Sequence, residues 1–312
     1  MEPAAVEQIL VIKLGALGDF IYALGPMQAI RAHHPQARIT LLTTAPFAKL
    51  GKDCGYFDDV LIDGKPRWYD LSAVIAFARD INQKKFTRVY DLQNNDRTAF
   101  YLHLFSPRPE WVGAARGASH RNTSPERTRG HSYHGHVQTL RLGGVEDVKL
   151  DDLSWMTGNL DKFPLRPPYV LLVPGCSPEH PEKRWPVAGY KDIAGRLLAD
   201  GVQPVLLGTA AEADINAEIA AGLEVLNLTG QTAFYDIPAL ARGAHGAIGN
   251  DTGPAHMIAA TGLPLVMLFC TAASTVKKHG PQGARAKTIE AADLTTISAD
   301  EVWRVYRDAL KR

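Results

Sequence analysis

Short apolar runs alternate with longer stretches of mixed polarity along most of the chain. Residues 9–14 (ILVIKL), 38–43 (RITLLT), 59–62 (DVLI) and 88–92 (RVYDL) are β-rich and too short for helices, so they predict strands. Helical candidates lie between them, the clearest over 19–33. The alternation restarts with 169–173 (YVLLV), 203–207 (QPVLL), 224–228 (EVLNL), 246–249 (GAIG) and 264–269 (PLVMLF). Helices are expected over 187–199, 211–221, 235–241 and 254–260. Residues 298–310 (SADEVWRVYRDAL) combine a serine cap, early acids and apolar positions at helical spacing. Strands separated by helices of this length imply parallel βαβ units with right-handed crossovers.

Two segments break the pattern. Residues 161–168 (DKFPLRPP) hold three prolines in eight positions and read as a linker. Residues 113–135 are rich in Arg, His, Ser, Thr and Gly without an apolar period, and read as a long loop. The expected fold class is α/β with two Rossmann-like domains, over 1–163 and 164–295, followed by a helical segment over 296–312.

Composition narrows the function classes. A chain of 312 residues with 46% hydrophobic and 21% charged content suits two folded domains. Its formal net charge of +1 gives no reason to expect nucleic acid as a partner. Cys54, Cys176 and Cys270 are far apart and form no CxxC pair, which points to a reducing, cytoplasmic setting. Lys13 and Asp19 interrupt the first apolar run, and Glu2 and Glu7 stand where a leader would be basic, so no signal peptide is expected. No uncharged apolar run reaches the ~18 residues of a membrane-spanning helix. Peripheral contact with the inner membrane stays open.

In open α/β sheets, ligands bind beyond the carboxyl ends of the strands. Two turns there carry chemistry. The first is Gly15-Ala16-Leu17-Gly18-Asp19, where glycines permit a tight turn and Asp19 begins a helix. It lacks the GxGxxG pattern of a dinucleotide site. Asp19 is either a helix cap or a catalytic carboxylate, and the turn alone leaves both open. The second is Gly249-Asn250-Asp251-Thr252-Gly253-Pro254-Ala255-His256, a strand end followed by a helix start suited to a pyrophosphate. Thr252 offers a hydroxyl and His256 an imidazole; the bland alternative is an Asp-capped helix with a buried histidine. Pro174-Gly175-Cys176-Ser177 and Lys183-Arg184-Trp185-Pro186 fall on the same sheet edge, where Lys183 or Arg184 would neutralise a phosphate. Glu212, in Gly208-Thr209-Ala210-Ala211-Glu212, is placed to accept from ribose hydroxyls.

Together these stretches resemble the bacterial heptosyltransferases of lipopolysaccharide core assembly, glycosyltransferase family 9. IKLGALGDFIYALGPMQAIR resembles the family's N-terminal signature, KRWP its Lys-x-Trp-Pro element, GTAAE its glycine-to-glutamate turn, and GNDTGPAHMIAATGLPLVMLF its most specific motif. The resemblance implies a GT-B architecture, in which two Rossmann-like domains face each other and the C-terminal helix crosses back to the first. It implies that Asp19 is the general base, that Lys183 binds the donor pyrophosphate and that Glu212 binds its ribose. Asp251, Thr252, Gly253 and His256 would surround the donor sugar and phosphates, with Ser177 and Thr232 as further donor contacts. The donor implied is ADP-heptose, and transfer would invert the anomeric centre without metal or cofactor. One departure leaves the donor sugar open: Cys270-Thr271-Ala272-Ala273 replaces the Gly-Pro-Thr-Asp-Pro-like turn that often follows the last strand.

Between Arg97 and Arg141 stand seven arginines, five histidines and only two acids. Such a cluster in a nearly neutral protein suits an anionic glycolipid acceptor, with Arg97, Arg116 and Arg121 as candidate contacts. A solvated loop, or metal binding by His131, His134 and His136, is the competing reading. Two other functions fit the same halves: a nucleotide-sugar epimerase, and a nucleotide-sugar-binding protein without catalysis.

Overall fold

The central strands are apolar at almost every position because helices cover both faces of a parallel sheet. The computed structural model describes residues 6–311; Glu2 lies outside them. By chain contacts it divides into two units, Met1–Asp151 and Asp152–Arg312.

The first unit contains β1 (Gln8–Ile12), α1 (Leu17–His33), β2 (Arg38–Thr43), α2 (Ala48–Asp53), β3 (Asp59–Ile62), α3 (Leu71–Gln83), β4 (Arg88–Asp91), α4 (Asp96–Tyr101), β5 (Glu110–Gly113), β6 (His120–Arg121), α5 (Glu126–Arg129) and α6 (Ser132–Leu142). Its sheet runs β3-β2-β1-β4-β5-β6, and every pairing is parallel. Ile9 to Ile12 are wholly buried at its centre. The edge strand β6 spans only two residues, a length that limits unwanted pairing.

The second unit contains β7 (Tyr169–Val173), α7 (Val187–Ala199), β8 (Gln203–Leu206), α8 (Ala213–Ala220), β9 (Leu226–Asn227), α9 (Asp236–Gly243), β10 (Gly246–Asn250), α10 (Gly253–Ala260), β11 (Leu265–Cys270), α11 (Val276–His279), β12 (Ala286–Ala291) and α12 (Ala299–Ala309). Its sheet, β12-β11-β10-β7-β8-β9, is again parallel throughout. Counted from its own first strand, this is the order of the first unit. Each sheet therefore reverses its winding direction beside its first strand, between β1 and β4 and between β7 and β10. That reversal opens a crevice at the carboxyl ends of those strands.

Two features of the structure differ from the sequence reading. The boundary falls at Asp151/Asp152, ahead of the expected 163/164. Residues 152–163 pack on α9: Arg242 donates to the Leu153 carbonyl (3.1 Å), and Lys162 pairs with buried Asp236 (2.6 Å). The last helix contributes to the second unit's core. Ser298 caps α12 by accepting from the Glu301 N–H (3.2 Å), and Val302 and Tyr306 join the core cluster. A Cβ at Gly246 would stand 2.6 Å from Tyr306 Cε2, so the missing side chain makes room for that ring. Residues 113–135, expected as one loop, contain β6, α5 and the lead into α6. These pieces are too short to show a period; buried Asn122 anchors them through Thr139 Oγ1 (3.0 Å).

Candidate functional site

In the first unit, β1 ends in a turn that only a glycine fits. Gly15 has φ +134°, and a Cβ there would lie 2.8 Å from the Phe47 ring. Gln93 Oε1 accepts the Leu14 N–H (2.8 Å), tying this turn to the one after β4. Ala16, not Asp19, holds the cap position of α1, with no side-chain cap bond. Asp19 lies within the first turn, half-buried, and no hydrogen bond or ion pair among the described residues engages its carboxylate. The capping role is thus ruled out, leaving a carboxylate beside positive helix amides.

Beneath it lies a buried charged group. Burial lowers the Lys13 ammonium below the ordinary lysine value, against the pull of Asp19 and Asp91. Asp91, paired in register with Ile12, has no solvent exposure. Burial pushes its carboxyl up to about 6, although the Asn94 and Gln93 N–H groups bond its Oδ1. Its Oδ2 has no partner among the described residues. His136, also buried, is held well below its ordinary value by burial and by the charge of Lys13. Nothing in the sequence pattern singled out Asp91, and His136 entered only as a competing metal ligand; their burial arises from distant segments.

The second unit answers with a closed network. Asp251 follows β10, and its carboxylate accepts from Lys183 Nζ (2.8 Å) and Ser274 Oγ (2.9 Å) and contacts His256 Nε2 (3.1 Å). Burial alone would raise this carboxyl, but the bonds and charges of His256 and Lys183 overcome it and hold Asp251 at about 2. Asn250, fully buried, binds the loops together. It accepts from the Trp185 N–H (3.2 Å) and the Tyr190 hydroxyl (2.9 Å), and donates to the Pro174 carbonyl (2.6 Å). Gly253 opens α10 with Thr252 at its cap, and the Thr252 hydroxyl is buried without a partner among the described residues. Helix amides, an unpaired hydroxyl and a fixed cation share this strand edge. The bland reading, in which Asp251 serves only to cap α10, is displaced by Thr252 at the cap.

Glu212 is buried and closes a capping box, accepting from the Thr209 N–H (2.8 Å) and hydroxyl (2.6 Å). Gly175 presses on it, since a Cβ there would lie 2.7 Å from Glu212 Cγ. Ser177 is exposed and donates to Glu179. Thr232 is half-buried on the turn after β9, at the edge of the sheet and outside the Asp251 network. Ser274 and Asn250 were not singled out as ligand or network residues. The final strand of the sheet, β12, was also missed, so residues 270–273 do not follow the last strand but lead through Ser274 to Asp251.

Among the acceptor candidates, Arg97 is half-buried and donates to the Pro66 carbonyl (3.2 Å). Arg116 is exposed, and exposed Arg121 reaches the Ala114 carbonyl (3.4 Å). The His131 and His134 rings meet edge to face at 6.2 Å, and His131 Nδ1 accepts the Tyr133 N–H (3.1 Å) at the start of α6. His136 is buried beside Lys13, and no group of three or more His, Cys, Asp or Glu side chains among the described residues is placed to hold a metal.

Two Rossmann-like units with polar groups gathered at their switch points define an α/β protein of the class that binds ligands beyond the carboxyl ends of its strands. The model of Glycosyltransferase family 9 (heptosyltransferase) matches residues 74–300, and the chain belongs to that family. Lipopolysaccharide heptosyltransferase 2 of Escherichia coli is 35% identical over 108 residues, covering 33% of this chain and 31% of that protein. The chain thus matches under a third of that relative's length. Lipopolysaccharide core heptosyltransferase OpsX of Haemophilus influenzae is 20% identical over 281 residues, covering 85% of this chain and 79% of that one. The solved structure of E. coli ADP-heptose LPS heptosyltransferase II has the same fold, with a TM-score of 0.75 at 21% identity, covering 97% of this chain and 98% of that one.

Proposed function

We propose that this protein transfers a heptose from ADP-heptose to an anionic lipopolysaccharide core acceptor, with inversion and without a metal. Asp19 takes the proton of the acceptor hydroxyl. The oxygen forms a bond to the anomeric carbon as the bond to the diphosphate breaks, and ADP leaves with the electron pair. Negative charge grows on that leaving group, and Lys183, the amides of Gly253 and the start of α10, and the Thr252 hydroxyl meet it. Asp251, which holds both Lys183 and His256, faces the sugar with His256; Ser177, Glu212 and Thr232 contact the nucleotide. Arg97, Arg116 and Arg121 pair with acceptor anions. The reading includes peripheral contact with the inner membrane from the cytoplasmic side.

The observation that carries this reading is the Asp251 network, a carboxylate tied to a cation and an imidazole beside free helix amides. Incubation with ADP-heptose, with and without a heptose-deficient core acceptor, tests it. Acceptor-dependent ADP release and a heptosylated product support transfer. Isomerised donor without acceptor would establish the epimerase instead, and donor binding without turnover would establish a binding protein.

A further inference from the structure

Isolated apolar side chains dot most protein surfaces, but here they gather. Of the large hydrophobic residues exposed among the described ones, Ile62 (50%), Trp68 (76%), Tyr69 (58%), Leu71 (70%) and Ile75 (67%) fall within one short stretch. We propose that the loop after β3 and the first turns of α3 form a docking surface for an anionic lipid bilayer. This names the surface for the peripheral membrane contact in the function above, and it does not depend on the transfer chemistry.

The exposure is built into the fold. Asp63 is buried and accepts from the Lys65 N–H (2.7 Å) and the Tyr101 hydroxyl (2.8 Å), and Arg97 grips the Pro66 carbonyl. Beyond that brace the chain projects Trp68 and Tyr69, whose rings meet edge to face at 5.6 Å. Arg67 lies over the Tyr69 ring and donates to its hydroxyl (2.6 Å). Asp70 then caps α3 through the Ala73 N–H (3.0 Å). Leu71 and Ile75, four apart, share one exposed helix face beside the buried stripe of Val74 and Ile81.

The chemistry selects a lipid surface. Tryptophan and tyrosine settle at the headgroup level, where ring and polar tip are both satisfied, and aliphatics beside them enter the acyl boundary. Lys65 and Arg67 are exposed, and residues 64–69 contain no acid, so the loop complements an anionic leaflet. Asp63 is buried, and the Asp70 carboxylate is turned to the helix amides. A stable protein interface engages roughly 20–30 residues a side, far more than this patch offers. No helix among the described residues is long and apolar enough to cross a membrane, so the contact is made at the surface.

Flotation of the full chain with phosphatidylcholine vesicles, with and without about a third phosphatidylglycerol, tests the proposal. The protein should float with the anionic vesicles, less with neutral ones, and be released by salt. Trp68→Glu combined with Ile75→Glu should weaken binding at least about tenfold, and Lys65→Ala with Arg67→Ala about fivefold for each cation removed. Circular dichroism and thermal unfolding should stay those of the parent. Failure of the parent to float, or equal flotation of the folded variants, overturns the proposal. So does light scattering that finds the parent self-associated and the variants monomeric, which would give the surface to a second copy of the chain. The assay holds neither donor nor acceptor, so its failure leaves the transfer reading intact, and failed transfer leaves this one intact.

Discussion

The two units share one strand order, yet their switch points treat a buried carboxylate in opposite ways. Asp91 ends β4 beside the last residue of β1, and Asp251 lies two positions past the residue of β10 that pairs with the last residue of β7. In the first unit one Asp91 oxygen lacks a partner and burial drives the carboxyl up to about 6. In the second, Lys183, His256 and Ser274 surround Asp251, and it stays at about 2. Backbone topology therefore locates the sites without fixing their chemistry. Partners set it: the first unit keeps one carboxyl, Asp91, that burial holds toward its protonated form, and the second keeps a charge fixed by its neighbours.

The sharpest way to break this division is Asp19→Asn. The substitution keeps shape and removes the base, so kcat should fall by about 10²–10⁴. ADP affinity, measured by calorimetry, should stay within about twofold, because the Asp251 network is built from residues of the second unit. A comparable loss of nucleotide binding would move Asp19 from proton transfer to donor contact.

Lys183→Ala attacks the other side. It removes the phosphate cation and leaves Asp251 buried with one charged partner fewer, a loss on the order of 3–5 kcal/mol when a buried pair is broken. Donor affinity should fall far more than the acceptor's. Adding Asp251→Asn should restore part of the lost stability, since no uncompensated carboxylate then remains. Strict additivity of the two changes in thermal unfolding would show that the pair does not act as a unit.

Much of this was legible in the sequence because the central strands are continuous apolar runs: ILVIKL, YVLLV and PLVMLF each became a buried strand. Glycine and proline punctuation located the turns, and a local motif held Asp251, Thr252, Gly253 and His256 together. What stayed hidden depends on distant partners. β12 (AKTIEA) is an edge strand with polar residues, and β6 is too short to have a period. Ser274 reaches Asp251 from another loop. Asp91 sat in plain view within RVYDL, but its burial comes from residues far along the chain. A Cβ at Gly113 would approach within 2.9 Å of Asp91 Cβ, so even the glycine there belongs to that enclosure. Prolines mark a stiff segment, whereas the side chains of Lys162 and Arg242 decide which core that segment joins, so the division by chain contacts falls ahead of it.

The same contrast predicts opposite pH slopes in stability, the smallest of these effects. Asp91 has a folded pKa raised from 3.8 to about 6. As pH climbs from about 4 to 6, the unfolded chain releases this proton before the folded one, so stability falls; above that window the cost is complete, about 3 kcal/mol at most. Asp251 is lowered from 3.8 to about 2. Its contribution is full above about 4 and is lost as pH drops toward 2, about 2 kcal/mol in all. Urea unfolding across this range should therefore flatten above pH 4 in Asp91→Asn and below pH 4 in Asp251→Asn, each variant leaving the other limb unchanged. A single variant that altered both limbs would mean that the two carboxylates titrate as one coupled system, and the division of labour between the units would fail.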